Sequence, residues 1–176
     1  MSEVPTQRRQ TLAPGGRAPT RSRDWLGLAA CIALCLAISV LGGWVTAQSV
    51  GDWYRTLQKP FFNPPNWLFA PVWTLLYLSI AFSGWRVWRA RGLSGASAAM
   101  TVYATQLALN LAWSFLFFGA RMIGVALADI VLLLTVILAN AAMFARIDRI
   151  AGWLLVPYAV WVAFAGALNF ALWRLN

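Results

Sequence analysis

Histidine is absent from the 176 residues, and cysteine occurs only as Cys31 and Cys35. No four-ligand zinc site can be built from such a set, and no Ser-His-Asp or Cys-His catalytic arrangement can be assembled. Carboxylates are scarce as well. There are five, Glu3, Asp24, Asp52, Asp129 and Asp148, and only Asp129 lies deep inside an apolar stretch. The glycines form no P-loop that would cradle phosphates. We therefore expect no conventional catalytic residue, no metal site and no obligatory cofactor. Charge is the last deficit: 11% of residues are charged and 61% hydrophobic, where an average soluble domain carries roughly 25% charged residues. The composition describes a chain that crosses a membrane several times.

Five apolar segments are present, at about Asp24–Ala47, Trp67–Trp88, Gly95–Phe118, Met122–Ala145 and Ala151–Trp173. Each has the roughly 20 residues that a helix needs to cross the hydrocarbon core, and a helix satisfies its own backbone in lipid. The reading is an all-α membrane protein, a bundle of five transmembrane helices over residues 24–176. Residues 1–23, rich in Arg, Pro, Gly, Ser and Thr, read as a disordered basic tail. The apolar run that follows is long for the h-region of a signal peptide, so it is taken as a span. Cys31 and Cys35, spaced i and i+4, read as small packing residues on one helix face. The last three connections are short. The first, Gln48–Asn66, is long and carries Trp53, Tyr54, Lys59 and three prolines, the character of a functional loop and not of a linker.

The net charge of +9 is distributed by topology. One side of the membrane receives Arg8, Arg9, Arg17, Arg21, Arg23, Arg86, Arg89, Arg91, Arg146 and Arg149; the other receives only Arg55, Lys59, Arg121 and Arg174. By the positive-inside rule the N-terminus is expected in the cytoplasm and the long first loop outside. The arginines do not form one patch, and no nucleic-acid partner is expected. An α-helical bundle points to the inner membrane.

Polar and aromatic residues recur at helical spacing inside the spans. Tyr103, Gln106, Asn110, Trp113 and Phe117 share a face of the third segment. Amides are costly in hydrocarbon, so they must meet a partner helix, a cavity or a ligand. Pro157, Trp161, Ala165, Asn169 and Trp173 follow one another by four residues in the fifth segment. Small residues after a large indole leave room beside it, for a flat ligand or for a packed helix. Trp73 and Trp161 lie too far inside for the interfacial belt that explains Trp67, Trp85 and Trp88. Asp129, a lone carboxylate inside a span, reads either as a functional group or as a structural one that Arg121 or loop donors could reach.

In this order the motifs resemble the TspO/MBR family, which includes tryptophan-rich sensory proteins and peripheral-type benzodiazepine receptors. They are Trp53-Tyr54 with Leu57-Gln58-Lys59-Pro60, Asn63-Pro64-Pro65-Asn66-Trp67, Pro71-Val72-Trp73, Gln106-Leu107-Ala108-Leu109-Asn110 with Trp113, Phe117-Phe118-Gly119, Ala126-Leu127-Ala128-Asp129, Val156-Pro157-Tyr158, Trp161, Ala163-Phe164-Ala165 and Leu168-Asn169-Phe170. The resemblance implies a five-helix bundle whose first loop lids a pocket for porphyrins such as protoporphyrin IX, and for isoquinoline- or benzodiazepine-type ligands. Carried over by motif, the ligand-binding residues are Tyr54, Trp73, Gln106, Asn110, Trp113, Trp161, Ala165 and Leu168. A homodimer through the third helix is implied, with Gly95, Ala99, Ala104 and Ala108 as small contact residues. Two positions depart from the family pattern: Phe62 where tryptophan is usual, and Phe170 where its sterol motif has tyrosine. No sterol function is expected.

Three functions fit this reading. A receptor or sensor would stack a flat macrocycle on aromatic rings and orient it with a few polar groups. With no histidine for iron, it would recognise the macrocycle and its propionates. An enzyme that degrades porphyrin with light and oxygen would use Trp73 and Trp161 as redox-active indoles. A tetrapyrrole transporter is the third, although no inverted repeat is evident.

Overall fold

The computed structural model describes residues 21–176, and nearly all of them are helical. Of the expected disordered tail, residues 1–20 lie outside the described residues; Arg21–Arg23 open the first helix. The helices are α1 (Arg21–Val50), a single turn α2 (Trp53–Thr56), α3 (Phe69–Gly95), α4 (Ser97–Ser114), α5 (Ile123–Ile147), α6 (Arg149–Leu154) and α7 (Val156–Leu175). A 3₁₀ turn, Asn66–Leu68, leads into α3, and a π turn, Phe115–Gly119, ends α4. Among the described residues, five helical stretches are long and apolar enough to cross a membrane. The protein is an integral, multi-pass, all-α membrane protein.

Its surface is what lipid requires. Trp25, Leu26, Val40, Leu75, Val131 and Val160 all point outward, because a lipid tail is as apolar as the core and does not drive such side chains inward. The interior is built from close approaches and hydrogen bonds. α1 packs on α3 and α4, and α5 packs on α4, α6 and α7. Gly152 is required where α6 meets α5: a Cβ there would lie 2.6 Å from Ala145 Cβ and 2.9 Å from the Ala141 carbonyl oxygen. Near the basic end, Trp85 Nε1 donates to the Asp24 carbonyl (2.9 Å) and the Arg89 guanidinium sits over its ring, as expected of a belt indole.

The fifth span is broken. α6 and α7 meet at Leu155, and Pro157, without an N–H, opens the first turn of α7. The exposed carbonyls are taken up by the neighbouring helix: Ser83 Oγ donates to Ala151 O and Ser79 Oγ to Leu154 O, both at 2.7 Å. A break at membrane depth is tolerated where neighbours satisfy the freed backbone. α3 is kinked near its end at Gly92, whose φ of 67° is the left-handed region that glycine adopts without a side-chain clash.

The α5–α6 corner is fastened by charge. Asp148 caps α6, its Oδ1 accepting from the backbone N–H of Ile150 (2.9 Å) and Ala151 (3.2 Å). Its Oδ2 receives Arg86 Nε at 2.9 Å and Nη2 at 2.7 Å. Desolvation pushes the Asp148 carboxyl up, but the bonds from Arg86 and the two backbone amides outweigh it and hold the group below the usual carboxylate range. With the folded value depressed, the stabilisation is complete above the ordinary carboxyl titration near about pH 4 and is lost as pH falls through the folded value. Asp148→Ala should lower stability by about 1–3 kcal/mol in thermal unfolding at neutral pH, with a smaller difference from wild type in acid. A difference that does not shrink on acidification would show that the carboxylate charge contributes nothing.

Candidate functional site

The amphipathic face predicted for the third segment is the face of α4 that enters the bundle: Tyr103, Gln106, Asn110 and Phe117 are buried and Trp113 is half-buried. Asn110 is the hub. Its Oδ1 accepts from Tyr77 Oη on α3 at 2.6 Å, and its Nδ2 donates to Tyr158 Oη on α7 at 2.9 Å. One amide thus joins three spans, with a bond at each end. Trp73 packs against the same tyrosines, its ring centroid 5.5 Å from Tyr77 and 6.4 Å from Tyr158.

Toward the lid, Trp113 stacks on Phe117 at 5.1 Å, and its Nε1 donates to Asn169 Oδ1 at 3.0 Å. Asn169 Nδ2 in turn donates to the Ile123 carbonyl at 2.9 Å, so the amide of α7 is spent on holding α4 and α5. The π turn widens the end of α4 and brings Phe117 inward, where it meets Trp53 and Tyr54 of the lid. Single π turns of this kind recur at functional sites. Tyr54 is buried and donates to Asn63 Oδ1 at 2.9 Å, under the ammonium of Lys59. Burial pushes its hydroxyl above the ordinary tyrosine value, so it remains a neutral donor. The lid is latched at its far side to the end of α7. Gln58 N donates to Asn176 Oδ1 at 2.9 Å, and Asn176 Nδ2 donates to Gln58 O at 3.1 Å.

The remaining polar atoms stand apart because nothing answers them. Gln106 is fully buried, one turn before Asn110, and neither its Oε1 nor its Nε2 has a hydrogen-bond partner. Trp161 Nε1 is buried without an acceptor, while its ring contacts Phe69 (5.9 Å) and Phe164 (5.6 Å). Asp129 Oδ2 is buried without a donor, and it forms no pair with Arg121, since among the described residues the one ion pair is Arg86–Asp148. Arg121 instead turns toward the lid, its guanidinium over Trp53. Asn140 Nδ2 donates to the Ala99 carbonyl at 3.1 Å, but its Oδ1 is buried without a donor. An unanswered buried amide costs about 1–3 kcal/mol, and natural structures hold few.

The residues expected at the site fall into two adjoining groups. Trp73, Trp113, Trp161 and Ala165 are half-buried around one core cluster, and Tyr54 and Leu168 belong to the cluster beneath the lid; Trp113 touches both. Phe62 reaches Phe164 at 6.3 Å, so the lid closes over α7 by an aromatic contact that needs no indole N–H. Sequence reasoning passed over Tyr77 and Tyr158 as partners of Asn110. The available signal was that each is a hydroxyl in an apolar helix, which must find a partner in lipid.

Known proteins carry the same pattern through most of their length. A family model described as the TspO/MBR family matches residues 31–174. The tryptophan-rich protein TspO of Chlorobaculum tepidum is 41% identical over 162 residues, covering 88% of this chain and 99% of that protein. The protein of the same name from Archaeoglobus fulgidus is 45% identical over 151 residues, 86% of this chain and 97% of its own. The translocator protein of Sus scrofa is 42% identical over 142 residues, 77% of this chain and 84% of its own. With the matched region running from α1 to the last turn of α7, this chain belongs to the TspO/MBR family.

Proposed function

We propose that the protein is a membrane receptor or sensor that binds flat tetrapyrroles of the protoporphyrin IX type, and isoquinoline- or benzodiazepine-type molecules, among Trp73, Gln106, Trp113, Trp161, Ala165 and Leu168 beneath the lid that Tyr54 fastens. The observation that carries this reading is Gln106: a fully buried amide with both ends unanswered, beside an asparagine whose ends are both engaged. Trp161 adds a free indole donor. Aromatic faces supply stacking and apolar burial, and the free polar groups set orientation. Asn110, also expected among the ligand contacts, serves the site as the clamp that holds Tyr77, Tyr158 and, through them, Trp73.

The topology in this proposal puts the N-terminus in the cytoplasm and the lid outside, from the uneven placement of arginine and lysine, and the bundle in the inner membrane, because it is α-helical. A homodimer would form through α4 by Ala104 and Ala108, which are exposed; Ala99 is buried within the chain. The contact of Trp73 with Tyr77 and Tyr158 also favours a second reading, in which oxidisable rings degrade the bound porphyrin under light. Loss of porphyrin under illumination, compared with darkness, separates the two.

Ala165→Leu tests the placement of the site. The residue is half-buried one turn after Trp161, so a larger side chain fills the space beside the indole. Overpacking costs about 1–3 kcal/mol, which a rigid macrocycle cannot relieve by repacking. Protoporphyrin affinity should fall by roughly tenfold while the unfolding midpoint moves little. Unchanged affinity would place Ala165 outside the ligand's reach.

A further inference from the structure

Arg121 and Arg174 stand on an open cleft of about 570 Å³ at the lid end of the bundle, lined also by Ile123, Gly124, Trp173 and Asn176. Neither arginine has a carboxylate partner: among the described residues the one ion pair is Arg86–Asp148. Arg121 is held in place by other means. Arg121 sits in the left-handed region, φ 58°, between the bonds Ala120 N to Phe115 O (2.7 Å) and Met122 N to Leu116 O (2.9 Å), with its guanidinium carbon 5.9 Å from the Trp53 ring centroid. Arg174 lies in the last turn of α7. Between them, the Trp173 indole closes against Gly124, where a Cβ would come within 3.1 Å of its Nε1.

The chemistry of this cleft is specific. Two guanidinium groups offer forked N–H donors that match the oxygens of a phosphate. The indole adds a second kind of donor, and the first-turn amides of Ile123 and Gly124 have no intrahelical partner. Ile123 and Trp173 give the same cleft an apolar wall at membrane-interface depth, which suits a headgroup with its chains in the bilayer. We propose that this cleft binds a phosphate group, carried either by an anionic lipid headgroup or by the free ion. The site is separate from the tetrapyrrole reading and does not depend on it. It lies beside the latch, since Asn176 both lines the cleft and holds Gln58.

The test is calorimetric titration of the full chain, in a neutral detergent, with inorganic phosphate, with dihexanoyl-phosphatidylglycerol and with dihexanoyl-phosphatidylcholine. Arg121→Asn removes one charge with a residue that tolerates positive φ, and Arg174→Gln removes the other. Arg55→Gln removes a charge from α2, outside the cleft, as the control. Saturable binding of phosphatidylglycerol or phosphate is expected, weakened about tenfold or more by either cleft variant and unchanged by Arg55→Gln. Tighter binding of phosphatidylglycerol than of phosphate identifies the lipid as the source; equal or tighter binding of phosphate identifies the free ion. Absence of saturation by both, equal binding of phosphatidylcholine and phosphatidylglycerol, or an equal loss in Arg55→Gln overturns the proposal.

Discussion

Replacing Asn110 with leucine should produce the largest loss of stability of any single change at the site. Leucine keeps the volume but removes the acceptor of Tyr77 Oη and the donor to Tyr158 Oη, bonds of 2.6 and 2.9 Å. Each orphaned buried group costs about 1–3 kcal/mol, and water that would compensate in a soluble protein is absent from the bilayer core. Thermal unfolding in detergent should show a drop of several degrees. Adding Tyr77→Phe and Tyr158→Phe to Asn110→Leu should recover much of it, because the hydroxyls that lost their partner are then gone. A midpoint equal to wild type in the single variant would mean that this amide does not join the three spans.

Gln106→Leu should behave in the opposite way. Its amide makes no bond that leucine would forfeit, so the bundle should be as stable as wild type or more stable by about 1–3 kcal/mol, the desolvation cost of the unanswered groups. Affinity for protoporphyrin IX should fall by roughly threefold to tenfold, the loss of one ordinary hydrogen bond. If Gln106 meets the ligand as proposed, the two neighbouring amides divide the labour, one for the fold and one for the ligand. Destabilisation of the kind expected at Asn110, with affinity unchanged, would reverse that division.

This division was not legible in the sequence, where Gln106 and Asn110 are two amides on one stripe. Helical periodicity reports which face a residue occupies, and it was right about that face. Which hydroxyl reaches which amide depends on the rotation and height of α3, α4 and α7 against one another, and no single helix encodes those. The spans themselves were plain, since about 20 apolar residues in a row have few other uses. Their ends moved for local reasons: Gly92 turns the chain beyond Trp88, the π turn carries α4 to Gly119, and Ser79 and Ser83 allow a break at Leu155 that periodicity does not show. Asp129 illustrates the limit of charge matching by proximity in sequence. Arg121 stands just ahead of α5, which carries Asp129, yet its guanidinium lies over Trp53 and the buried Asp129 Oδ2 has no donor. The family resemblance was legible from ordered motifs alone. The latch between Gln58 and Asn176 was not, because it joins residues 118 positions apart.

Whether Trp73 and Trp161 border a site for a flat tetrapyrrole, as proposed, is tested most directly by a titration in darkness. Purified protein would be titrated with protoporphyrin IX while tryptophan fluorescence and porphyrin absorbance are followed, for wild type and for the Trp73→Phe, Trp161→Phe double variant. Saturable binding by wild type is expected. Binding by the double variant should be weaker, by a few-fold per indole, since an aromatic pair contributes about 0.5–1.5 kcal/mol beyond burial. Failure of wild type to saturate, or equal affinity in the double variant, would contradict the proposal.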